Sequence, residues 1–415
     1  MFLNDEEKKM LDGEYGRATQ QAMSMLMALG EIYDVPRMVP ISSAHLGGRS
    51  YTIGGAEAIE WLQDLLSGGA YCRVFTTYNP GSADLIQYEK MGIPEDLVEN
   101  QKKMDECYRK MGVYPIGTCL AYMSGNVPLF GEHFSWGGSA GATFVNSVFG
   151  ARGNREGSPS ALAASLTGVT PEYGLHITEN RYGKLLVRIS GLKFEELSEG
   201  DWSALGYFIG RQAGDRTPVV VGLPERLDQE TIRAFIAPMP TGGSVGMCHL
   251  VGITPEAATK EAAFGGLQPE EETLVGPKGI QRGYELLNTT WNDHIDLVAL
   301  GCPHVTMAKL RKIAEYMEGK KVHPAVRLWV ATSAQIKLIA ERMGLVESLE
   351  KSGAVVATEL CVAPGAPFHH VPGVKTVATD TARGAFFIPG ACKVDVRFGD
   401  TQKCLEAALT GRWKD

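Results

Sequence analysis

Four consecutive apolar residues, Leu297-Val298-Ala299-Leu300, run into Gly301, Cys302, Pro303 and His304. An unbroken apolar run of this length predicts a strand covered on both faces. Gly301 lets the chain bend and Pro303 offers no ladder donor, so the strand is expected to end there and pass Cys302 to a turn. Over 305–319 the spacing becomes helical, with Met307, Leu310, Ile313, Ala314 and Met317 on one side. The alternation continues with strands predicted at 326–331, 354–358 and 374–378 and a helix at 335–343. Parallel strands joined by crossovers end on the same side of a sheet. Cys302, Ser333, Cys361 and Asp380 should therefore share one sheet edge, where α/β folds bind ligands.

The N-terminal half reads less regularly. Asn4 with Glu7 predicts a capping box on a first helix, and a second helix is expected over 15–33. A strand at 39–43 leads into the glycine-containing loop 44–49. After a helix at 56–66, a strand at 72–77 reaches the turn Tyr78-Asn79-Pro80-Gly81, and a strand-like approach at 115–119 ends on Cys119. The stretch 125–140 is dense in glycine, and a helix at 141–149 precedes Arg152 and Arg155. Two arginines in a glycine-rich turn suit carboxylate or phosphate. Residues 206–217 read as a spacer. Beyond it come a strand at 218–222, a helix at 229–236, a strand at 247–253 and a charged, peripheral stretch at 260–283. Thr241 to Gly246 looks like a phosphate loop but lacks the Lys-Ser/Thr pair. The expected organisation is an N-terminal α/β region over 1–205, a middle one over 206–285 and a C-terminal one over 286–415.

With 415 residues the chain exceeds a single small core. Its net charge of -8 gives no reason to expect a nucleic-acid partner. No apolar run approaches the roughly 18 residues of a membrane span. Eight cysteines scattered without CxxC pairs argue for a reducing, cytoplasmic setting and against a disulfide framework. Cysteines gathered at one edge are then candidates for metal or catalysis.

Several blocks together resemble the large subunit of the aconitase X family of iron-dependent hydro-lyases. They are Ser43-Ala44-His45, Gly117-Thr118-Cys119, Gly125-Asn126-Val127-Pro128, Gly131-Glu132-His133, Asn146-Ser147-Val148, Gly150-Ala151-Arg152, Asn154-Arg155-Glu156-Gly157 and Leu300-Gly301-Cys302-Pro303-His304. The resemblance spans nearly the whole chain, and it is the order and spacing of the blocks that make it specific. It implies an aconitase-like α/β core of several domains, with parallel or mixed sheets flanked by helices and without the swivelling small domain. It also implies an iron–sulfur cluster, of the four-iron, four-sulfur kind, held by Cys119, Cys302 and Cys361. The sequence departs from the family pattern at Gly137-Gly138-Ser139, which lacks an acidic residue, and at Thr381-Ala382-Arg383, where Ser-Ala-Lys is usual.

Dehydration of a β-hydroxy acid requires the hydroxyl to leave and the proton beside the carboxylate to be removed. Iron with an open coordination position can take the hydroxyl. His45, His133 and Ser333 are the candidates for proton movement. Ser43, Asn79, Asn146, Arg152, Arg155, Asp380 and Arg383 are the candidates for substrate binding. The resemblance implies that the base is a serine on a separate small swivelling-domain subunit. It implies two substrates, mevalonate 5-phosphate (giving anhydromevalonate phosphate in isoprenoid synthesis) and cis-3-hydroxy-L-proline, and the Asn154-to-Ser160 block favours the first. Two rivals stand beside this reading: a cysteine hydrolase using Cys302 with His304, and a non-catalytic metal-binding subunit.

Overall fold

The computed structural model describes residues 1–414. The first helix, Asp5–Leu11, begins at Asn4 with both halves of the capping box made. The second, Arg17–Ile32, packs Met23 and Leu26 inward, while Met25 is exposed. The strand expected at 39–43 is two strands, Met38–Pro40 and Ser43–Leu46. The first pairs antiparallel with Val169–Pro171. The second is the centre of a three-stranded parallel sheet between Phe75–Tyr78 and Phe134–Trp136. All four of its residues are buried, which is why the stretch after Ala44 does not form a loop until Gly47. The approach to Cys119 is not a strand. Tyr114 makes one parallel bridge to Thr77, and the chain then leaves the sheet as a loop.

The spacer expected at 206–217 is largely the second half of the helix Glu199–Ala213. Its glycines mark close packing. A side chain at Gly206 or Gly210 would collide with the backbone carbonyl of Phe235 or Met239. The stretch at 260–283 is not merely peripheral, since it supplies the strand Glu271–Val275 and most of the helix Pro277–Leu287. That strand reads as charged because it is the edge of a parallel four-stranded sheet with Leu185–Ile189, Pro218–Val221 and His249–Leu250. His249–Leu250 is all that forms of the strand expected at 247–253, because the chain turns at Gly252.

The C-terminal sheet has five parallel strands in the order Ala354–Thr358, Arg327–Thr332, Leu297–Val305, Thr376–Thr379, Asp395–Phe398. Its central strand explains the apolar run. Leu297 and Ala299 join the large core shared with the rest of the molecule, while Val298 and Leu300 pack with Leu310, Ile313 and Leu405 from the covering helices. This strand does not stop at Gly301. It slips register between Leu300 and Val305 and then pairs again, Val305 with Thr332. Cys302 therefore lies within an irregular stretch of the central strand, held by ladder pairing on both sides.

Candidate functional site

Three chain segments meet at the carboxyl edge of the C-terminal sheet, and each carries a cysteine. Cys302 is in the slipped part of the central strand, Cys361 lies three residues past Ala354–Thr358, and Cys119 lies on the loop from the N-terminal region. All three line one cavity, together with Asn79, Gly138, Pro303, His304 and Arg383. His304 joins the segments. Its backbone N–H donates to the Cys119 sulfur at 3.2 Å. Its ring Nδ1 meets the Thr118 hydroxyl at 3.0 Å and its Nε2 meets the Leu360 carbonyl at 3.0 Å. A carbonyl only accepts, so Nε2 carries the proton and Nδ1 accepts from Thr118. One side chain beside Cys302 thus fixes the neighbours of both other cysteines. Burial lowers its imidazole to about 4, so it is neutral.

The same geometry removes the cysteine hydrolase. Both ring nitrogens of His304 are engaged away from Cys302, and burial drives the Cys302 thiol upward rather than toward thiolate. The Cys119 thiol is likewise pushed up, to about 11, and Cys361 upward, each chiefly by burial. Cys302 feels the charge of both other thiols, and all three are favoured as thiolates by Arg383. Arg383 donates to Ser139 Oγ at 3.0 Å and Thr241 Oγ1 at 3.1 Å. The two departures from the family pattern are therefore in contact with each other. Thr381 caps the helix Ala382–Cys392, accepting from the Gly384 N–H.

The donor set suits a cluster better than a lone ion. Among the described residues, no three His, Cys, Asp or Glu side chains stand close enough to hold one metal ion. A polynuclear cluster takes one thiolate per iron, so its ligands stand further apart. Three thiols, Cys302 buried and Cys119 and Cys361 half-buried, edge the cavity with no carboxylate and no fourth cysteine among its lining residues. Cys392 lies behind, its thiol directed at the Ala363 and Ala366 carbonyls of the Cys361 loop.

Asn79 enters the same cavity through an ordered chain of hydrogen bonds. Asn126 Nδ2 donates to Thr77 Oγ1 at 2.8 Å, and Thr77 Oγ1 is 2.8 Å from His45 Nδ1. His45 Nε2 is 2.8 Å from Asn79 Oδ1. With the Thr77 proton directed at Nδ1, Nε2–H donates to Asn79, whose amide N–H₂ stays free to donate. His45 is buried and lowered to about 4 by desolvation. It orients Asn79 and has no nitrogen left for substrate.

The remaining candidates are dispersed. Ser43 accepts from the Trp136 indole at 3.2 Å and is buried. Asn146 spends its amide on Gly153, Gly246 and Arg181. Ser333 caps the helix Ala334–Arg342. His133 pairs with His176, Nδ1 to Nδ1 at 2.9 Å, beside Arg152, which reaches Thr178 and Glu256. None of these five lines the thiol cavity. Asp380 lies in an adjoining chamber. Arg155 is exposed and, among the described residues, its side chain has no hydrogen bond or ion pair, yet it lies within electrostatic reach of Arg383. The sequence reading gave no weight to Thr77, Asn126 or the positioning role of His304. Asn126 and His304 stand in blocks that carry the resemblance and Thr77 lies two residues before Asn79, but no local pattern marks what they do.

A parallel-sheet α/β chain with three thiols on one cavity matches a known class along its length. Residues 1–179 match the aconitase X first domain, 183–285 the second and 295–410 the third. The chain belongs to the aconitase X family of hydro-lyases. It is 37% identical over 409 residues to the phosphomevalonate dehydratase large subunit of Methanocaldococcus jannaschii, covering 98% of this chain and 100% of that one. It is 39% identical over 402 residues to the corresponding subunit of Methanothermobacter thermautotrophicus, covering 96% and 97%. A cis-3-hydroxy-L-proline dehydratase of Pseudomonas aeruginosa is 32% identical over 411 residues, covering 98% of this chain but 70% of that one. The crystal structure of Thermococcus kodakaraensis aconitase X in its holo-form superposes with a TM-score of 0.87 at 33% identity, covering 98% of this chain and all of the other.

Proposed function

We propose that the chain is the large subunit of a phosphomevalonate dehydratase, converting mevalonate 5-phosphate to anhydromevalonate phosphate with a separate small subunit. Cys119, Cys302 and Cys361 would hold its iron–sulfur cluster, of the four-iron, four-sulfur kind. When bound, the cluster supplies a Lewis-acidic iron with an open position for the substrate hydroxyl. Arg383, the one permanently charged side chain on the cavity, pairs with the substrate carboxylate. The oriented Asn79 amide donates a second hydrogen bond. Arg155, whose side chain has no hydrogen bond or ion pair among the described residues and which feels the charge of Arg383, would take the phosphate. This second cation favours a doubly anionic substrate over cis-3-hydroxy-L-proline, whose ring ammonium it would repel.

The observation that carries the reading is what the cavity contains and what it lacks. It has three thiols and a carboxylate-binding cation, but no carboxylate or unengaged histidine that could remove the carbon-bound proton. A base brought by a small swivelling subunit, a serine by family resemblance, fills that gap. The relatives spanned almost end to end are called large subunits, whereas the matched hydroxyproline dehydratase is longer. Arg383 and the oriented Asn79 amide beside the thiols are groups a substrate needs and a non-catalytic metal holder does not, which favours the enzyme. No described helix is long and apolar enough to cross a membrane, in keeping with a cytoplasmic setting. Phosphorus NMR of mevalonate 5-phosphate incubated anaerobically with the chain, with and without the small subunit, is the test. Turnover is expected only with both. Full turnover by this chain alone, or turnover of cis-3-hydroxy-L-proline but not of the phosphate, defeats the proposal.

A further inference from the structure

Behind Cys302 lies a second, small chamber whose wall carries several charged side chains. Its volume is about 30 Å³, room for one or two waters by the usual requirement of roughly 10–15 Å³ each. Its wall includes Glu199, Lys309, Asp380, Glu230 and Arg233. It shares Cys302, Pro303, His304 and Arg383 with the thiol cavity. Lys309 sits in the first turn of the helix Met307–Met317, where the helix dipole disfavours a cation. It is buried there, with Nζ 2.6 Å from Glu199 Oε1 and 2.7 Å from Asp380 Oδ2. Glu199 opens the helix Glu199–Ala213, and Asp380 follows the strand Thr376–Thr379.

Arg383, on the same wall, directs its guanidinium to Ser139 and Thr241 rather than to this group. Glu230 and Arg233 pair at 2.9 Å, which leaves two carboxylates, Asp380 buried and Glu199 one-third exposed, sharing the Lys309 ammonium. Two carboxylates that share one cation repel each other, which favours a proton on the pair. Burial pushes the Glu199 carboxyl upward, opposed by Lys309 and reinforced by Asp380 and Glu230. The Cys404 thiol also faces Asp380 and Lys309 and is driven well up, so it is neutral, with Asp400 and Lys403 acting from further out. Asp380 is 1% exposed. Its Oδ2 also accepts from the Thr401 hydroxyl at 2.8 Å, but its Oδ1 has no partner. A bolt between two domains would need neither the orphaned oxygen nor the chamber beside it.

We propose that Glu199, Lys309 and Asp380 form a proton store that supplies, through water in this chamber, the proton that turns the leaving hydroxyl into water. The inference rests on the dehydratase reading. In the elimination the carbon–hydrogen bond breaks to the base and the carbon–oxygen bond breaks to the hydroxyl. The store protonates that hydroxyl, and the base then returns its proton to solvent as the store refills. The three residues act through water, in a positioning and relay role.

Glu199→Gln and Asp380→Asn keep the side-chain shapes and remove the exchangeable acid. In the assembled enzyme each is expected to lower kcat by about 100-fold, the low end for lost general-acid catalysis. KM should stay within about twofold, and the alkaline limb of the kcat–pH profile should move or vanish. Infrared titration of the large chain alone should show a protonated carboxylic-acid band that Glu199→Gln removes. Variants with wild-type kcat and an unmoved alkaline limb overturn the proposal. So does the absence of the band from the wild-type chain, whatever the substrate. A band without turnover by the assembled wild type overturns the dehydratase reading, and the delivery step with it.

Discussion

His304 and Arg155 show how differently two residues flagged by the same kind of sequence reading can behave. His304 appears next to a cysteine, which invites a nucleophile–base pairing. Its hydrogen bonds to Thr118 and Leu360 make it instead the tie between three cysteine segments. His304→Ala should orphan both partners, destabilise the chain by about 1–3 kcal/mol and abolish stable iron incorporation. Denaturant unfolding of the metal-free chain and iron analysis of the purified protein check the two effects separately. Arg155 makes no contact that folding requires, so Arg155→Met should leave the melting temperature unchanged. If it binds the substrate phosphate uniformly in ground and transition states, KM should rise roughly 10- to 100-fold with kcat little altered, measurable by steady-state kinetics. Ser43 and Asn146 stand in blocks that carry the family resemblance, and Ser333 at the end of a predicted strand. Each is engaged in structural hydrogen bonds, to Trp136, to Gly153, Gly246 and Arg181, and to the Ile336 N–H, and lies off the thiol cavity.

At the scale of elements, the central strand Leu297–Val305 connects pattern to site. Its apolar run announced a doubly covered strand, and Gly301 announced a bend. What was not legible is that pairing resumes at Val305, because register slippage depends on the neighbouring strand. Gly301 has φ of +122°, and a Cβ there would stand 2.5 Å from the Ala331 carbonyl oxygen. Gly301→Ala should therefore cost about 2–4 kcal/mol through strain and collision, read by denaturant unfolding, and should disturb Cys302 directly. The Cys361 loop is secured comparably. Arg49, fully buried, holds Asp105 at 2.5 Å and Glu359 at 2.6 Å, and Glu359 itself takes a positive φ of 59°. That ion triad joins residues more than 300 positions apart in the chain, so no local signal marks it.

For the whole molecule, burial of neutral histidines sets the response to acid. His45 is lowered to about 4 and His176 to about 3, both chiefly by desolvation. Their unfolded counterparts take up protons near 6.5. Between these values the unfolded chain binds more protons than the folded one, so stability is full above about pH 7 and falls as pH drops through 6.5 toward 4. At pH 5 each histidine accounts for on the order of 2 kcal/mol of this loss. Glu156 and Glu199, raised by burial, act in the opposite sense. Denaturant midpoints at pH 7.5 and pH 5 should show the net decrease. The sequence by itself determined the local matters: that 297–300, 326–331, 354–358 and 374–378 carry strands and, if these are parallel neighbours joined by crossovers, that Cys302 and Cys361 emerge on one edge. Periodicity and crossover handedness act over tens of residues, and one chain contains that information. Only the tertiary structure brought Cys119 to that edge, put His133 and Arg152 elsewhere, and assembled Lys309 with Glu199 and Asp380. Those encounters come from domains packing against each other, and the free energy that selects them is spread over a shared core rather than written at any one position.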